Sequence, residues 1–159
     1  MKTRITMPEL EARTGAEVGL SRWFEMDQPR IDRFADVTED AYFIHTDPER
    51  AKSDAPFGGT IAHGFLTLSL LSAMSYDALP ELEGKRMQVN YGFDRIRFVA
   101  PVPSGASVRG RFLLSKCART GPEEATMTYA VSVEIKNGER PALAAEWIAR
   151  VWGDFWAAS

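Results

Sequence analysis

The side chains of this sequence best suited to moving protons lie in one short segment. Both histidines of the chain, His45 and His63, fall there, and Asp40 stands five residues before His45. Imidazole and carboxylate groups exchange protons near neutral pH, because modest changes in their surroundings bring their pKa values into that range. The segment therefore predicts a site of general acid–base chemistry with Asp40 and His45 at its centre.

Each of these residues also has a purely structural interpretation. Asp40 and His45 at this spacing would fit a loop cap next to a surface histidine, and His63 would fit a packed histidine that orients the turn around it. Asp47 is followed by Pro48 and a glutamate, which is the pattern of a helix start, so we interpret Asp47 as a cap and not as a catalyst.

Two further residues could complete the site. Gly64 follows His63 close to the start of a predicted helix, where backbone N–H groups lack partners and can hold a carbonyl oxygen that gains negative charge. Ser72 lies on roughly the same helical face as Gly64, two turns on, and could either reach toward Asp40 and His45 or simply allow close packing.

Composition limits the class of protein. With 159 residues, 45% of them hydrophobic and 26% charged, the sequence is typical of one globular domain spanning residues 1–159. A net charge of -3 argues against binding to nucleic acid, which needs a concentrated basic surface. Cys117 is the single cysteine, so an intrachain disulfide and a thiolate metal cluster are ruled out. We expect a cytoplasmic protein without a membrane segment, since no apolar run is long enough to span a bilayer.

The first half of the chain is predicted to be mainly helical. A short helix is predicted near Met7 to Arg13 with Thr6 as its cap, and a strand near Arg22 to Met26. Asp27 is expected to cap a second helix, whose apolar face carries Ile31, Phe34 and Val37. The run IAHGFLTLSLLSAMSYDAL has apolar residues on nearly every face, which predicts one long, buried helix.

From Met87 onward the sequence is rich in β-strand patterns. The segment MTYAVSVEI alternates between apolar and polar residues, and KNGE predicts a hairpin turn that leads into the strand LAAEWIARVW. The order of these elements predicts an α+β domain in which a curved antiparallel sheet wraps around the long buried helix. A single helix leaves apolar sheet surface or an edge uncovered, so we expect a homodimer.

The chain resembles the MaoC-like family, which includes the (R)-specific enoyl-CoA hydratases, and within it the NodN-like branch. The family motif runs acid, any residue, Asn, Pro, aliphatic residue, His, and the corresponding positions here are Asp40, Ala41, Tyr42, Phe43, Ile44 and His45. Tyr42 and Phe43 replace the usual Asn-Pro, as is typical of the NodN-like branch. The later IAHGF is similar to the family's second element, and the likeness extends over nearly the whole chain.

The resemblance implies a hot-dog fold, a dimer and an acyl-CoA thioester as substrate. It implies hydration of a trans-2-enoyl-CoA to the (R)-3-hydroxyacyl-CoA, with Asp40 and His45 holding a water and the Gly64 amide holding the thioester oxygen, and with no metal or other cofactor. The residues expected to contact the substrate are Tyr42, Phe43, His63 and Ser72. Two alternatives remain open at this point: an acyl-CoA thioesterase on the same fold, and a non-catalytic subunit that binds acyl thioesters.

Overall fold

The computed structural model describes residues 2–156, which form fourteen helices and strands in one α+β arrangement. In chain order these elements are β1 (Arg4–Ile5), α1 (Met7–Glu11), β2 (Glu17–Leu20), β3 (Phe24–Met26), α2 (Gln28–Thr38), α3 (Phe43–Thr46), α4 (Pro48–Asp54), α5 (Gly64–Ser69), α6 (Leu71–Ala78), β4 (Glu81–Leu82), β5 (Lys85–Phe98), β6 (Ala106–Gly121), β7 (Glu124–Ile135) and β8 (Leu143–Gly153).

An antiparallel six-stranded sheet dominates the structure. Its strand order is β2-β6-β7-β8-β5, with β3 also paired to β6. The alternation predicted for MTYAVSVEI is confirmed, since Met127, Tyr129, Val131 and Val133 are buried on one face of β7. Asn137 adopts the left-handed conformation expected in the predicted turn (φ 62°), and β8 returns alongside β7.

The buried face of the sheet packs against α5 and α6, and two glycines allow the close approach. A Cβ atom on Gly110 of β6 would lie 3.1 Å from the Cβ of Met74, and one on Gly19 of β2 would lie 2.7 Å from the carbonyl oxygen of Ala78. Met74 is completely buried at this contact. The helices therefore rest almost directly on the backbone of the sheet, which fixes the position of the segment that precedes them.

The long helix was predicted as one buried element, and that prediction is wrong in two respects. The helix begins at Gly64 and is interrupted at Leu70, which separates α5 from α6. Its outer side is not buried, because Phe65 is 65% exposed and Tyr76 is 66% exposed. An apolar run in the sequence therefore does not show which of its residues lie in the core and which lie on the exposed side of the helix.

The shorter helices begin where their caps predict. The side chain of Thr6 caps α1 with a reciprocal bond from Glu9, Asp27 caps α2 and Asp47 caps α4. Val37, predicted on the buried face of α2, is instead 78% exposed, because α2 buries only the narrower stripe formed by Ile31 and Ala35. Within residues 2–156, no helix is both long and apolar enough to cross a membrane.

Candidate active site

The predicted site residues lie on three short pieces of irregular chain, which the fold brings together. Helix α2 ends at Thr38, and the left-handed conformation of the next residue, Glu39 (φ 61°), turns the chain sharply just before Asp40. His45 lies in the single turn α3, and His63 immediately precedes α5. The site is therefore built from loops and helix ends that the sheet and α2 hold in place.

Backbone hydrogen bonds tie these pieces to one another. The N–H of Ile61 donates to the carbonyl of Ile44 at 3.0 Å, and the N–H of Ala62 donates to the carbonyl of Val102 at 2.8 Å. The segment carrying His63 is thus held between α3 on one side and the loop after β5 on the other.

The side chain of Gln28, the first residue of α2, bonds to both pieces of the site. Its Nε2 donates to the carbonyl of His45 at 2.7 Å and to Oδ1 of Asp32 at 2.7 Å, and its Oε1 accepts from the Thr60 hydroxyl at 2.5 Å. A single amide thereby fixes the distance between the α3 turn and the chain that leads to His63. Residue types and local spacing do not predict the bonds to His45 and Thr60, because these two partners lie 17 and 32 positions away in the sequence.

His45 is buried in a way that defines its tautomer. Its Nδ1 lies 2.7 Å from the carbonyl oxygen of Ile61, and since a carbonyl can only accept, Nδ1 carries the hydrogen. When the ring is neutral, Nε2 therefore has a free lone pair. Burial lowers the pKa of His45 below its ordinary value of 6.5, outweighing the opposing effect of its bond to the Ile61 carbonyl. At neutral pH His45 is uncharged and able to accept a proton at Nε2.

His63 supports both members of the pair. Its ring stacks on the ring of His45 with centroids 3.8 Å apart, and it also packs against Phe34. Its Nε2 donates to the backbone carbonyl of Asp40 at 2.9 Å and lies 3.9 Å from the Asp40 carboxylate. Of the two histidines, His63 is the more deeply buried, at 2% exposure. These contacts agree with the interpretation of His63 as a packed histidine that orients the residues around it.

Asp40 completes a compact cluster of titratable groups. One ligand atom each from Asp40, His45 and His63 lies within 4.8 Å of the others, close enough to consider a metal ion. However, Nε2 of His63 is protonated in its bond to the Asp40 carbonyl, so it has no lone pair for a metal. Nδ1 of His63 keeps its lone pair. The half-exposed Asp40 carboxylate and Nε2 of His45 could hold a water molecule between them.

Gly64 lies at the edge of the same cavity. As the first residue of α5 it presents an N–H with no partner inside the helix. The ring of Phe98 covers its α-carbon so closely that an added Cβ would lie 2.8 Å from the ring. The cavity is about 340 Å³ in volume, and besides these residues its walls are mainly apolar: Ile61, Ala62, Phe65, Val99, Ala100, Pro101, Val102 and Ala142.

Three residues predicted to contact a substrate lie outside this cavity in the single chain. Tyr42 is 58% exposed at the start of α3, and Phe43 packs under the guanidinium of Arg50. Ser72 accepts a hydrogen bond from Nδ2 of Asn90 at 3.0 Å. A substrate contact by Tyr42, Phe43 or Ser72 stays a prediction, whereas Asp40, His45, His63 and Gly64 all line the cavity.

The cavity also contains side chains that sequence reasoning did not single out. Phe98 covers Gly64 from the end of β5, and Thr67 lies on the wall one helical turn after Gly64. Thr67 could have been noticed as a polar residue within an apolar helical run. Phe98 had no such signal, because only the register of β5 places it here.

A long antiparallel sheet packed around a central helical segment is the hot-dog fold, and solved structures confirm this class. The MaoC-like dehydratase from Rhodospirillum rubrum is 19% identical and matches with a TM-score of 0.76 over 94% of this chain and 98% of its own. An (R)-hydratase from A. caviae involved in PHA biosynthesis is 24% identical, with a TM-score of 0.66 over 86% of this chain and 94% of its own.

Residues 9–136 match the MaoC-like domain family, and the chain belongs to that family. It is 51% identical to nodulation protein N of Rhizobium leguminosarum bv. viciae, over 94% of this chain and 93% of that protein, which confirms the NodN-like assignment. It is also 39% identical to 3-hydroxyacyl-thioester dehydratase Z of Mycobacterium tuberculosis, over 94% of this chain and 98% of that protein.

Proposed function

We propose that this protein catalyses the reversible hydration of a trans-2-enoyl-CoA to the (R)-3-hydroxyacyl-CoA. The observation that carries the proposal is the bond from Nδ1 of His45 to the Ile61 carbonyl, which leaves Nε2 of the neutral, buried ring free. A ligand atom of this ring lies within 4.8 Å of the Asp40 carboxylate. A relative named as a 3-hydroxyacyl-thioester dehydratase supports the reaction class. The (R) handedness is proposed from the resemblance to the (R)-specific hydratases.

In the proposed mechanism, Asp40 and His45 hold one water molecule between them. Nε2 of His45 accepts a proton as the water oxygen bonds to C3 of the substrate, and the C2=C3 electron pair moves toward the thioester oxygen. The N–H of Gly64 stabilises the negative charge on that oxygen. The pair then returns a proton to C2 on the same face. Addition of water changes no net oxidation state, so the proposed reaction requires no redox cofactor.

The proposal predicts that Asp40→Asn and His45→Gln each abolish hydration without unfolding the protein. Acid–base groups of this kind contribute roughly 10²–10⁴-fold to rate, so we expect losses of that size. Loss of the enoyl absorbance across substrates of several chain lengths, coupled to a stereospecific dehydrogenase, measures both turnover and handedness.

Asp47→Asn provides the matched control for the Asp40 variant. Asp47 is an exposed helix cap, and asparagine caps helices about as well as aspartate, so this variant should keep full activity. Near-normal turnover by either the Asp40 or the His45 variant would contradict the proposed mechanism. Release of free thiol from a saturated acyl-CoA would indicate a thioesterase instead, and tight binding without turnover would indicate a non-catalytic subunit.

We propose in addition that two chains pair along β5. This strand of fourteen residues lies at one edge of the sheet and pairs with β8 alone among the described strands. Met87, Val89 and Tyr91 along it are each at least 40% exposed. A long, apolar and uncovered edge invites pairing with another chain, and a second copy paired antiparallel would cover it.

A further inference from the structure

Two buried polar atoms in the cavity wall have no hydrogen-bond partner within residues 2–156. They are Oγ1 of Thr67 and Nδ1 of His63, and both residues are only 2% exposed. Folded proteins nearly always pair such atoms, because an unpaired polar group that has lost its water is destabilising. Two unpaired atoms in the wall of a proposed active site indicate that part of a ligand bonds there.

The direction of the helix places the Thr67 hydroxyl near Gly64. Side chains on an α-helix lean toward its N-terminus, so a side chain lies over the turn that precedes its own Cα. Thr67 follows Gly64 by three residues in α5 and lines the same cavity. A hydroxyl on the side of Thr67 that leans toward the helix N-terminus would lie over the turn whose first N–H belongs to Gly64.

The two unpaired atoms differ in what they can bind. Nε2 of His63 carries the hydrogen of that ring, so Nδ1 is an acceptor and would repel a negatively charged oxygen. The hydroxyl of Thr67 can donate. Of the two, only Thr67 can therefore assist Gly64 in holding an oxygen that gains negative charge.

We propose that the hydroxyl of Thr67 donates a hydrogen bond to the thioester oxygen of the bound substrate, as a second donor beside the Gly64 N–H. This inference rests on the proposed hydration function and extends it to a residue outside the Asp40 and His45 pair. The hydrogen bond strengthens as the electron pair of C2=C3 moves onto the oxygen, and the Thr67 proton stays on the hydroxyl throughout.

Replacement of Thr67 by valine tests the proposal, since it removes the hydroxyl and keeps the shape. Known donors of this kind are worth about 10²–10³ in rate, and for one of two donors we expect kcat to fall by roughly tenfold to a hundredfold. Thr67→Ser, which keeps the hydroxyl, should restore most of kcat. The melting temperature of Thr67→Val should be unchanged or higher, because the variant no longer buries an unpaired hydroxyl.

Thr128→Val is the matched control, since Thr128 is a half-buried threonine of β7 outside the cavity. It should leave kcat unchanged. Equal kcat for the valine and serine variants of Thr67 would overturn the proposal. So would an equal loss of melting temperature in both variants, which would assign Thr67 a role in packing.

A second measurement does not depend on turnover. Isotope-edited infrared spectra of bound butyryl-CoA, labelled with ¹³C at the thioester carbonyl, report the hydrogen bonds to that oxygen directly. The carbonyl band should move to higher wavenumber in Thr67→Val than in the unmodified protein, and Thr67→Ser should reverse the change. A band at the same position in all three proteins would overturn the donor role alone.

The infrared result also separates this inference from the proposed function. If no enoyl-CoA is hydrated but the band responds to Thr67→Val, the proposed function fails and the donor role of Thr67 stands for a binding protein. If neither butyryl-CoA nor a longer saturated acyl-CoA binds to the unmodified protein, both proposals are overturned.

Discussion

The two histidines of the site have different hydrogen-bonding roles, although their rings stack face to face. His45 uses Nδ1 to bond a backbone carbonyl and keeps Nε2 for chemistry, whereas His63 uses Nε2 to bond the backbone of Asp40. In both rings, a carbonyl fixes which nitrogen carries the hydrogen. His45 thereby keeps a free nitrogen for its proposed role as a base, while His63 bonds to the backbone of Asp40.

The lowered pKa of His45 predicts how the reaction depends on pH. Because the neutral ring is the active form, the acid limb of kcat/KM should fall below pH 6.5, the ordinary pKa of histidine. A pH–rate profile on an enoyl-CoA measures it. An acid limb above pH 6.5 would show that the charge of Asp40 raises the pKa of His45 by more than burial lowers it.

The free energy of unfolding should also depend on pH because the pKa of His45 is lowered in the folded protein. Well above pH 6.5, His45 is neutral in both folded and unfolded chains, so it causes no pH dependence there. As the pH falls below 6.5, the unfolded chain binds a proton that the folded site resists, and stability is lost. Denaturant unfolding should show this loss in the native protein and a smaller one in His45→Gln.

Residue types and spacing were enough to single out residues that line one cavity, but not the rest of its wall. Asp40, His45 and Gly64 stand out because their chemistry is unusual in a loop and at a helix start, and all three line the cavity. The support that His63 gives to Asp40 joins residues 23 positions apart. Such a contact depends on how the loops fold back, and a local pattern does not contain that information.

Among the elements, α2 has the most direct effect on the site although none of its own residues lines the cavity. Its first residue, Gln28, bonds to the α3 turn and to Thr60, and its last turn leads into Asp40 through the left-handed Glu39. Helix α2 therefore connects both sides of the cavity and sets the spacing between them.

Replacing Gln28 should disturb the reaction without touching the substrate. Gln28→Leu removes every bond of the amide and leaves the carbonyl of His45 without this donor, so we expect a loss of stability of about 1–3 kcal/mol and a lower kcat/KM. Thr60→Val removes the bond to Oε1 alone and should have a smaller effect on both. Denaturant unfolding and the hydration assay measure the two quantities, and unchanged activity in Gln28→Leu would show that the spacing does not depend on this residue.

The elements themselves were predictable wherever a local signal defines an end. Thr6, Asp27 and Asp47 each cap the helix they were expected to cap, because capping involves only neighbouring residues. The interruption of the long helix at Leu70 was not predictable in this way. Nor was strand β2, which is short and exists through its pairing with β6.

At the scale of the whole molecule, the outer edge of β5 has no neighbouring strand among residues 2–156. The strand order of the sheet and the exposure of Met87, Val89 and Tyr91 support a homodimer, in agreement with the expectation from the sequence. The resemblance to a known family implied the hot-dog fold correctly. The registers between strands came only from the structure, since alternation defines the faces of a strand but not its neighbours.

The double variant Val89→Lys with Tyr91→Lys should convert the dimer to monomers. It places like charges on the edge of both copies, where each would face the other or lose water on pairing. Analytical ultracentrifugation measures the mass, and Val37→Lys is the matched control because Val37 is 78% exposed on α2. A double variant that remains dimeric would show that the chains associate through another surface.

Strand β5 ends at Phe98, the same residue whose ring lies against Gly64 and closes part of the cavity. Phe98 is 49% exposed in the single chain, so about half of its side chain is open to contact with another surface. In the proposed dimer, association at the edge and closure of the cavity share this side chain. If the proposed dimer covers Phe98, the fraction of chains with a closed cavity would rise with protein concentration by mass action.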